Sequence, residues 1–201
     1  MTARLRLHGI PISGHVHKVE LFLRLLGLDY EYVETSRDVW TADAFTRLNP
    51  LHQIPVLEDG DFALPDSNAI LVYLALRYDP DGPWLPRDPV AAAQVQRWLS
   101  ISAGEIRFGP ARARVIQLLG GTGDLAAAQA IAQALLAVMD AHLTGRAWLV
   151  GETPTLADLA CYPYMATAPE GGVDLEPFPA VRAWISRLEA LPGLKPMPRA
   201  A

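Results

Sequence analysis

Residues 78–89, YDPDGPWLPRDP, place four of the chain's 17 prolines among aspartates and a glycine. Proline fixes φ and lacks an amide proton, so neither a helix nor a strand can run through such a segment. Strand and helix patterns alternate before it, whereas only helix patterns follow it. We therefore expect two domains, at residues 1–80 and 87–201, joined by a linker at residues 81–86.

The first domain shows strand and helix patterns in the order βαβαββα. Alternation of apolar and polar residues predicts a strand at 4–8, and apolar residues three and four apart predict a helix at 16–26, which Gly27 is suited to end. The Asp59-Gly60 pair predicts a hairpin turn. Because a βαβ unit pairs its strands in parallel and a hairpin pairs them antiparallel, we expect a small mixed sheet. The remaining strands are predicted at 30–33, 55–57 and 62–64, and the remaining helices at 42–48 and 67–78.

The second domain is predicted to be all-α. Asp88-Pro89 has the form of a helix start, with a capping side chain followed by proline at the first helical position. Gly109-Pro110 should break that helix, and Asp124 should cap a long one. Thr155 and Asp158 are spaced as a capping box, and a final helix is expected at 179–191.

Composition excludes several classes of protein. With 51% hydrophobic residues the chain can form a substantial core, and a net charge of −5 makes a nucleic-acid partner unfavourable. The single cysteine, Cys161, excludes a disulfide framework, a CxxC redox pair and a multi-cysteine zinc site, so we expect it in the core and expect no metal. The first ten residues lack the apolar region of a secretory signal, and no run of about 18 apolar residues occurs. We expect a soluble cytoplasmic protein that does not enter the membrane.

Ser13 is the first candidate functional residue. It follows the first predicted strand and precedes the first helix, where unpaired backbone N–H groups and the helix dipole favour an anion. A thiolate or a carboxylate could bind there. Alternatively, Ser13 only caps the helix, which is a common role for serine.

Two further segments also leave two interpretations open. Pro55 opens a strand: as a cis proline it would leave the preceding backbone free to pair with a peptide-like ligand, and as a trans proline it would be an ordinary strand start. Asp66 and Ser67 begin a helix, where they could bind the amine and the carboxylate of a ligand. Alternatively, they only cap that helix.

Taken together, separated motifs resemble those of the cytosolic glutathione transferases, and the resemblance is nearly full length. It extends to the bacterial serine-type members and implies a thioredoxin-like N-terminal domain followed by an all-α domain. The motifs are SGHVHKV at 13–19, LGLDYE at 26–31, NP at 49–50 with QIPVL at 53–57, DSNAI at 66–70 and TLAD at 155–158.

The resemblance implies roles for individual residues. Ser13 matches the hydroxyl that binds the glutathione sulfur, and lowering a thiol pKa by ~2 units from ~8.5 requires ~2.7 kcal/mol. Ile54, before the family's cis proline at Pro55, matches the residue whose backbone pairs with the cysteinyl group. Asp66 and Ser67 match the pair that holds the γ-glutamyl group. Gln53 matches a side chain near the glycyl end, and Thr155 and Asp158 match a structural capping box.

Some positions depart from the family pattern. His8 occupies the strand where other classes have a tyrosine, and no cysteine lies between residues 11 and 17, so tyrosine-type and cysteine-type mechanisms are not expected. His15 stands where many relatives have asparagine; it either donates a second hydrogen bond to sulfur or fills the mouth of the site. His52, in the loop before Pro55, could reach the glycyl carboxylate.

The resemblance also implies an electrophilic second substrate bound between the domains, against Ile106, Phe108 and Arg112. Arg107, Arg112 and Arg114 lie close together in sequence, and we favour a solvated helix face over a site for an anionic substrate.

The function expected is conjugation of glutathione, as co-substrate, to an electrophilic small molecule, a detoxification reaction. The alternative is a non-catalytic glutathione-binding or scaffold protein that retains the fold. The resemblance also implies a homodimer.

Overall fold

The computed structural model describes residues 5–199, and the chain forms two compact units that meet in sequence between Asp81 and Gly82. Each unit has its own buried apolar residues.

The first unit is built on a four-stranded mixed sheet in the order β2-β1-β3-β4. β1 pairs with β2 in parallel, whereas β1 with β3 and β3 with β4 pair antiparallel. The mixed sheet expected from the βαβ unit and the hairpin is therefore confirmed. The strands are β1 (Leu5–Gly9), β2 (Tyr30–Glu34), β3 (Val56–Asp59) and β4 (Phe62–Pro65).

Two long helices of the first unit, α1 (Gly14–Leu25) and α3 (Ser67–Tyr78), pack against each other and against the sheet. Gly27 follows α1 with φ 64°, and the amide of Leu28 donates to the carbonyl of Leu23, which closes the helix end as expected. Buried apolar residues fill the contact: Val16, Val19, Phe22, Ile70, Leu71 and Leu74.

The helix predicted at 42–48 is wrong in form. The chain instead makes a short helix, α2 (Arg37–Trp40), followed by a 3₁₀ turn at Asp43–Arg47. Only Phe45 of these two segments is buried, so no apolar face is present to support a longer helix.

Residues 82–199 form helices and connecting loops only, so the prediction of an all-α second half is confirmed. Asp88 caps its first helix through the amide of Ala91, and Asp124 caps the longest through that of Ala127. The helices are α4 (Pro89–Ile101), α5 (Pro110–Leu119), α6 (Leu125–Leu143), α7 (Leu156–Ala166) and α8 (Pro179–Glu189), with a π-helical turn at Ser102–Ile106 and a 3₁₀ turn at Ala168–Gly171.

The capping box predicted before α7 is present. Thr155 accepts a hydrogen bond from the amide of Ala157, and Asp158 accepts one from the amide of Thr155. Cys161, one turn further along α7, is fully buried, as expected for a core residue.

Within the described residues, α6 has the length and apolarity of a membrane span, with 19 residues and a mean hydropathy of 1.3. Length and composition do not distinguish such a span from a core helix. In the second unit α6 packs against α5 and α8.

Candidate active site

The strand registers bring three predicted site segments to one end of the sheet. His8 in β1 pairs with Val56 in β3, and Val56 pairs with Pro65 in β4. Antiparallel pairing therefore places the end of β1, the start of β3 and the end of β4 side by side. The Ser13 turn, the loop before Pro55 and the Asp66-Ser67 pair leave the sheet from these three points.

Ser13 lies at the N-cap of α1. Its Oγ accepts a hydrogen bond from the amide of Val16 at 3.4 Å, and its own amide closes the preceding turn onto the carbonyl of Ile10 at 3.1 Å. A Cβ at Gly9 would lie 2.4 Å from a Val16 methyl carbon, so the close approach of α1 to the end of β1 requires glycine there. This packing fixes the position of Ser13 at the head of the helix.

The loop before β3 is organised by Asn49. The buried Asn49 side chain donates to the carbonyl of Gln53 at 2.8 Å and accepts from the amide of Leu51 at 2.9 Å. The Ile54–Pro55 peptide bond is cis, with Pro55 buried and Ile54 partly exposed. Because β3 begins at Val56, the backbone of Ile54 lies outside the strand ladders.

His52 contacts the segment between β2 and β3 rather than standing free in the loop. Its Nδ1 donates to the carbonyl of Trp40 at 3.0 Å, and its Nε2 lies 3.3 Å from Oγ1 of Thr46. Both ring nitrogens are therefore engaged within the protein. Direct binding of a glycyl carboxylate by His52 would require one of these contacts to break.

Asp66 caps α3. Its Oδ1 accepts from the amides of Asn68 and Ala69, both at 2.9 Å, and its φ of 73° is uncommon for a residue other than glycine. The adjacent Ser67 is 6% exposed, and its Oγ lies 3.5 Å from Nδ1 of His15. This contact connects the start of α3 with the first turn of α1.

Lys18 is a buried residue that the sequence analysis missed. It is 1% exposed, and its Nζ donates to Oδ1 of Asn68 at 2.6 Å. Lys18 precedes the buried Leu21 and Phe22 by three and four residues, which places it on the apolar face of α1. A charged residue at that spacing is the signal that could have revealed it.

His8 is held inside the sheet by its contacts with neighbouring segments. It is buried, its Nε2 donates to the carboxylate of Glu58 at 2.5 Å, and its ring lies edge-on to that of Phe45. His8 is thus bonded across the sheet to β3.

In the second unit, the residues predicted to bind the electrophile differ in exposure. Ile106 is fully buried, so its side chain belongs to the core. Phe108 is 57% exposed, and Arg112 is exposed with its guanidinium bonded to the carbonyl of Thr122.

The arginine cluster is not one solvated face. Arg114 is 4% exposed, and its Nε lies 2.5 Å from the Glu170 carboxylate, whereas Arg107 and Arg112 are exposed. The solvated-face interpretation is therefore wrong for Arg114, because α5 buries this residue against the 3₁₀ turn that carries Glu170. Among residues 5–199, no group of three or more histidine, cysteine or acidic side chains could hold a metal ion.

Comparison with known proteins shows that this chain is similar to glutathione S-transferases. Residues 7–83 match the family model described as glutathione S-transferase, N-terminal domain, and residues 123–192 match the corresponding C-terminal domain. Glutathione S-transferase 3 of Zea mays is 34% identical, over 96% of this chain and 92% of its own length. Human glutathione S-transferase theta-2B is 32% identical, over 90% of this chain and 79% of its own.

Solved structures are also similar. A glutathione S-transferase from Pseudomonas fluorescens superimposes with a TM-score of 0.90 at 35% identity, covering 96% of this chain and 98% of that one. A glutathione transferase homologue from Drosophila mojavensis, with bound glutathione, has a TM-score of 0.82 at 29% identity, covering 94% and 89% respectively.

Proposed function

The chain belongs to the glutathione S-transferase family and is a glutathione transferase, and on that premise we propose that Ser13 activates the glutathione thiol for attack on an electrophilic small molecule. The observation that carries this proposal is the placement of Ser13 at the head of α1, at the end of the sheet from which the Pro55 and Asp66-Ser67 segments also leave.

Ser13 is suited to stabilise a thiolate. Its Oγ accepts a hydrogen bond from the amide of Val16, so the hydroxyl proton can be donated to a sulfur. The N-terminus of α1 adds a favourable dipole for an anion. A hydrogen bond to the charged form lowers the pKa of an acid, so a larger share of bound glutathione is thiolate at neutral pH.

The γ-glutamyl end of glutathione carries an amine and a carboxylate. The Asp66 side chain supplies a negative charge for the amine, and its capping bonds use Oδ1, which leaves Oδ2 available for that contact. Ser67 and the start of α3 supply hydrogen-bond donors for the carboxylate. Nδ1 of His15 lies 3.5 Å from Oγ of Ser67, so the His15 ring lies next to the proposed γ-glutamyl site.

The cysteinyl and glycyl parts of glutathione would bind at the loop before β3. The backbone of Ile54 pairs with the cysteinyl amide group beside the cis Pro55. The exposed Gln53 side chain binds near the glycyl end, and His52 holds the loop through Trp40 and Thr46.

We also propose where the second substrate binds and how the protein is assembled. The electrophile contacts Phe108 and Arg112, with Ile106 supporting them from the core. The protein is a serine-type bacterial member that acts in the cytoplasm, as a homodimer and without a metal, and its domains span 1–80 and 87–201.

Binding is tested by retention on immobilised glutathione. Asp66→Asn keeps the capping oxygen and removes the charge, and Ser67→Ala removes the hydroxyl. We expect both variants to lose retention that the wild type shows. Full retention by both would contradict the binding site.

Catalysis is tested by conjugation of glutathione to a chloronitrobenzene acceptor. Ser13→Ala should lower kcat/KM by about a hundredfold, as expected when an activating hydrogen bond of ~2.7 kcal/mol is lost. Ser36→Ala is the matched control, because Ser36 also precedes a helix but makes no capping bond through its side chain. Undiminished activity of Ser13→Ala would remove Ser13 from its role, and a wild type that binds glutathione without turnover would favour the scaffold alternative.

A further inference from the structure

Two side-chain contacts join α1 to the start of α3. His15 reaches Ser67 at 3.5 Å, and Lys18 reaches Asn68 at 2.6 Å. His15 and Lys18 are three residues apart and therefore lie on one face of α1, and their partners are consecutive in α3. The helix that carries Ser13 is thus joined at two adjacent points to the turn that carries Asp66 and Ser67.

Lys18 is an unusual residue for its position. It is 1% exposed and lies among apolar residues of α1. Moving an ammonium group out of water costs free energy, and well-packed apolar replacements of buried charged groups are often neutral or stabilising. Packing alone would therefore be served as well by methionine as by Lys18, which points to a role other than stability.

The contact made by Lys18 leads directly to the proposed glutathione site. Its Nζ donates to the Asn68 side chain, and the amide of Asn68 donates to Oδ1 of Asp66. Asp66 has a φ of 73°, a conformation that persists for a non-glycine residue only when surrounding contacts hold it. The amides of Asn68 and Ala69 are two of these contacts, and Lys18 bonds the side chain of Asn68.

We propose that Lys18 is a positioning residue for glutathione, an inference that rests on the proposed function. Through Asn68, Lys18 holds the Asp66-Ser67 turn against α1, so that the γ-glutamyl site keeps a fixed distance from Ser13. Its positive charge also favours the ligand carboxylate at the start of α3. Lys18 does not need to touch the substrate for either effect.

The test compares Lys18→Met and Asn68→Ala with the wild type. We expect each change to raise the KM for glutathione by about tenfold, while kcat and the KM for the chloronitrobenzene acceptor stay within about twofold. The Kd for glutathione from calorimetric titration should rise in parallel. Because Lys18→Met already breaks the bond to Asn68, the double variant should lose no more than Lys18→Met alone.

Lys195→Met is the matched control, because Lys195 is the only other lysine and is exposed. It removes the same charge and should leave every constant unchanged. The melting temperature of each variant is measured alongside, since a purely structural role for Lys18 would change stability without changing the KM for glutathione selectively.

A KM for glutathione within about twofold of wild type in Lys18→Met would overturn the inference. If Lys18→Met does not fold, Asn68→Ala decides, because it breaks the same bond from the partly exposed side. Strictly additive losses in the double variant would also overturn it. Failure of the wild type to bind glutathione would overturn the proposed function as well, and this measurement precedes any on the variants.

Discussion

Asp158 provides a test of what holds the second unit together. The residue is fully buried in α7, where Oδ1 accepts from the amide of Leu149 at 3.0 Å and from Nε1 of Trp184 at 2.8 Å. Oδ2 accepts from the amide of Thr155 at 2.8 Å and from its Oγ1 at 3.2 Å. Burial raises the pKa of Asp158, and these four bonds act in the opposite direction. One carboxyl group therefore connects the loop before α7, α7 itself and α8.

The Asp158→Ala substitution leaves three buried N–H donors without their acceptor, on Leu149, Thr155 and Trp184. Each unsatisfied buried donor costs about 1–3 kcal/mol. We therefore expect the free energy of unfolding to fall by at least about 3 kcal/mol, a large share of the roughly 5–15 kcal/mol that stabilises a folded domain. Asp158→Asn keeps the side-chain volume and one acceptor oxygen, so we expect it to lose less unfolding free energy than Asp158→Ala. Comparing the two variants separates the loss of hydrogen bonds from the cost of the cavity.

Urea denaturation followed by tryptophan fluorescence measures this loss, since four of the five tryptophans follow residue 82. Asp124→Ala is the matched control: it also removes a helix-capping aspartate, but an exposed one with a single bond to the amide of Ala127. Loss of such a cap costs about 1 kcal/mol. If Asp158→Ala were no more destabilising than Asp124→Ala, the reasoning from buried donors would be refuted.

Three further outcomes are expected. Ser13→Ala should move the pH–rate profile of conjugation upward, toward the ordinary thiol pKa of about 8.5, because the bound thiolate loses a donor; an unmoved profile would contradict its role. Burial, and after it the hydrogen bond to Asp59, raises the pKa of Tyr78 to about 12. The stability that the neutral Tyr78 phenol contributes is therefore complete below the pKa of about 10 that it has in the unfolded chain, and this stability is lost as the pH rises toward 12. Burial also raises the pKa values of Tyr30, Tyr32 and Tyr162, so ultraviolet titration should find one late-ionising phenol fewer in Tyr78→Phe than in the wild type; an equal number in both would exclude Tyr78 as a source. Arg114→Ala should cost about 3 kcal/mol of unfolding free energy because it leaves a carboxylate without its buried partner, whereas the exposed Arg112→Ala should cost at most about 0.5 kcal/mol; equal losses in urea denaturation would contradict this contrast.

Local signals predicted most of the fold. The helix expected at 67–78 has those limits in the structure, and Asp88, Asp124 and the Thr155–Asp158 box begin helices as expected. These features can be predicted from the sequence because a capping residue and the amide that it binds lie within four residues of each other. The hairpin at Asp59-Gly60 is local in the same sense.

Features that depend on packing between distant parts of the chain could not be predicted from the sequence. Ser102, which begins the π-helical turn, donates to the carbonyl of Ala160, 58 residues further along the chain, and Arg114 is buried against Glu170, 56 residues further along. The segment at 42–48 has helix-forming residues, but too little of it is buried to make the predicted helix. Burial is a property of the tertiary structure, so propensity alone could not decide these cases.

The sequence by itself determined the family, the order of the two units and the residue types that the proposed glutathione site contains. Only the tertiary structure decided how those residues are held. In the folded chain, His52 contacts Trp40 and Thr46 through its ring nitrogens. Side-chain contacts also link Lys18 to Asn68 and His15 to Ser67. The physical reason is separation along the chain: α1 and α3 meet through side chains about 50 residues apart, and no local pattern records which of them a fold will bring within hydrogen-bonding distance.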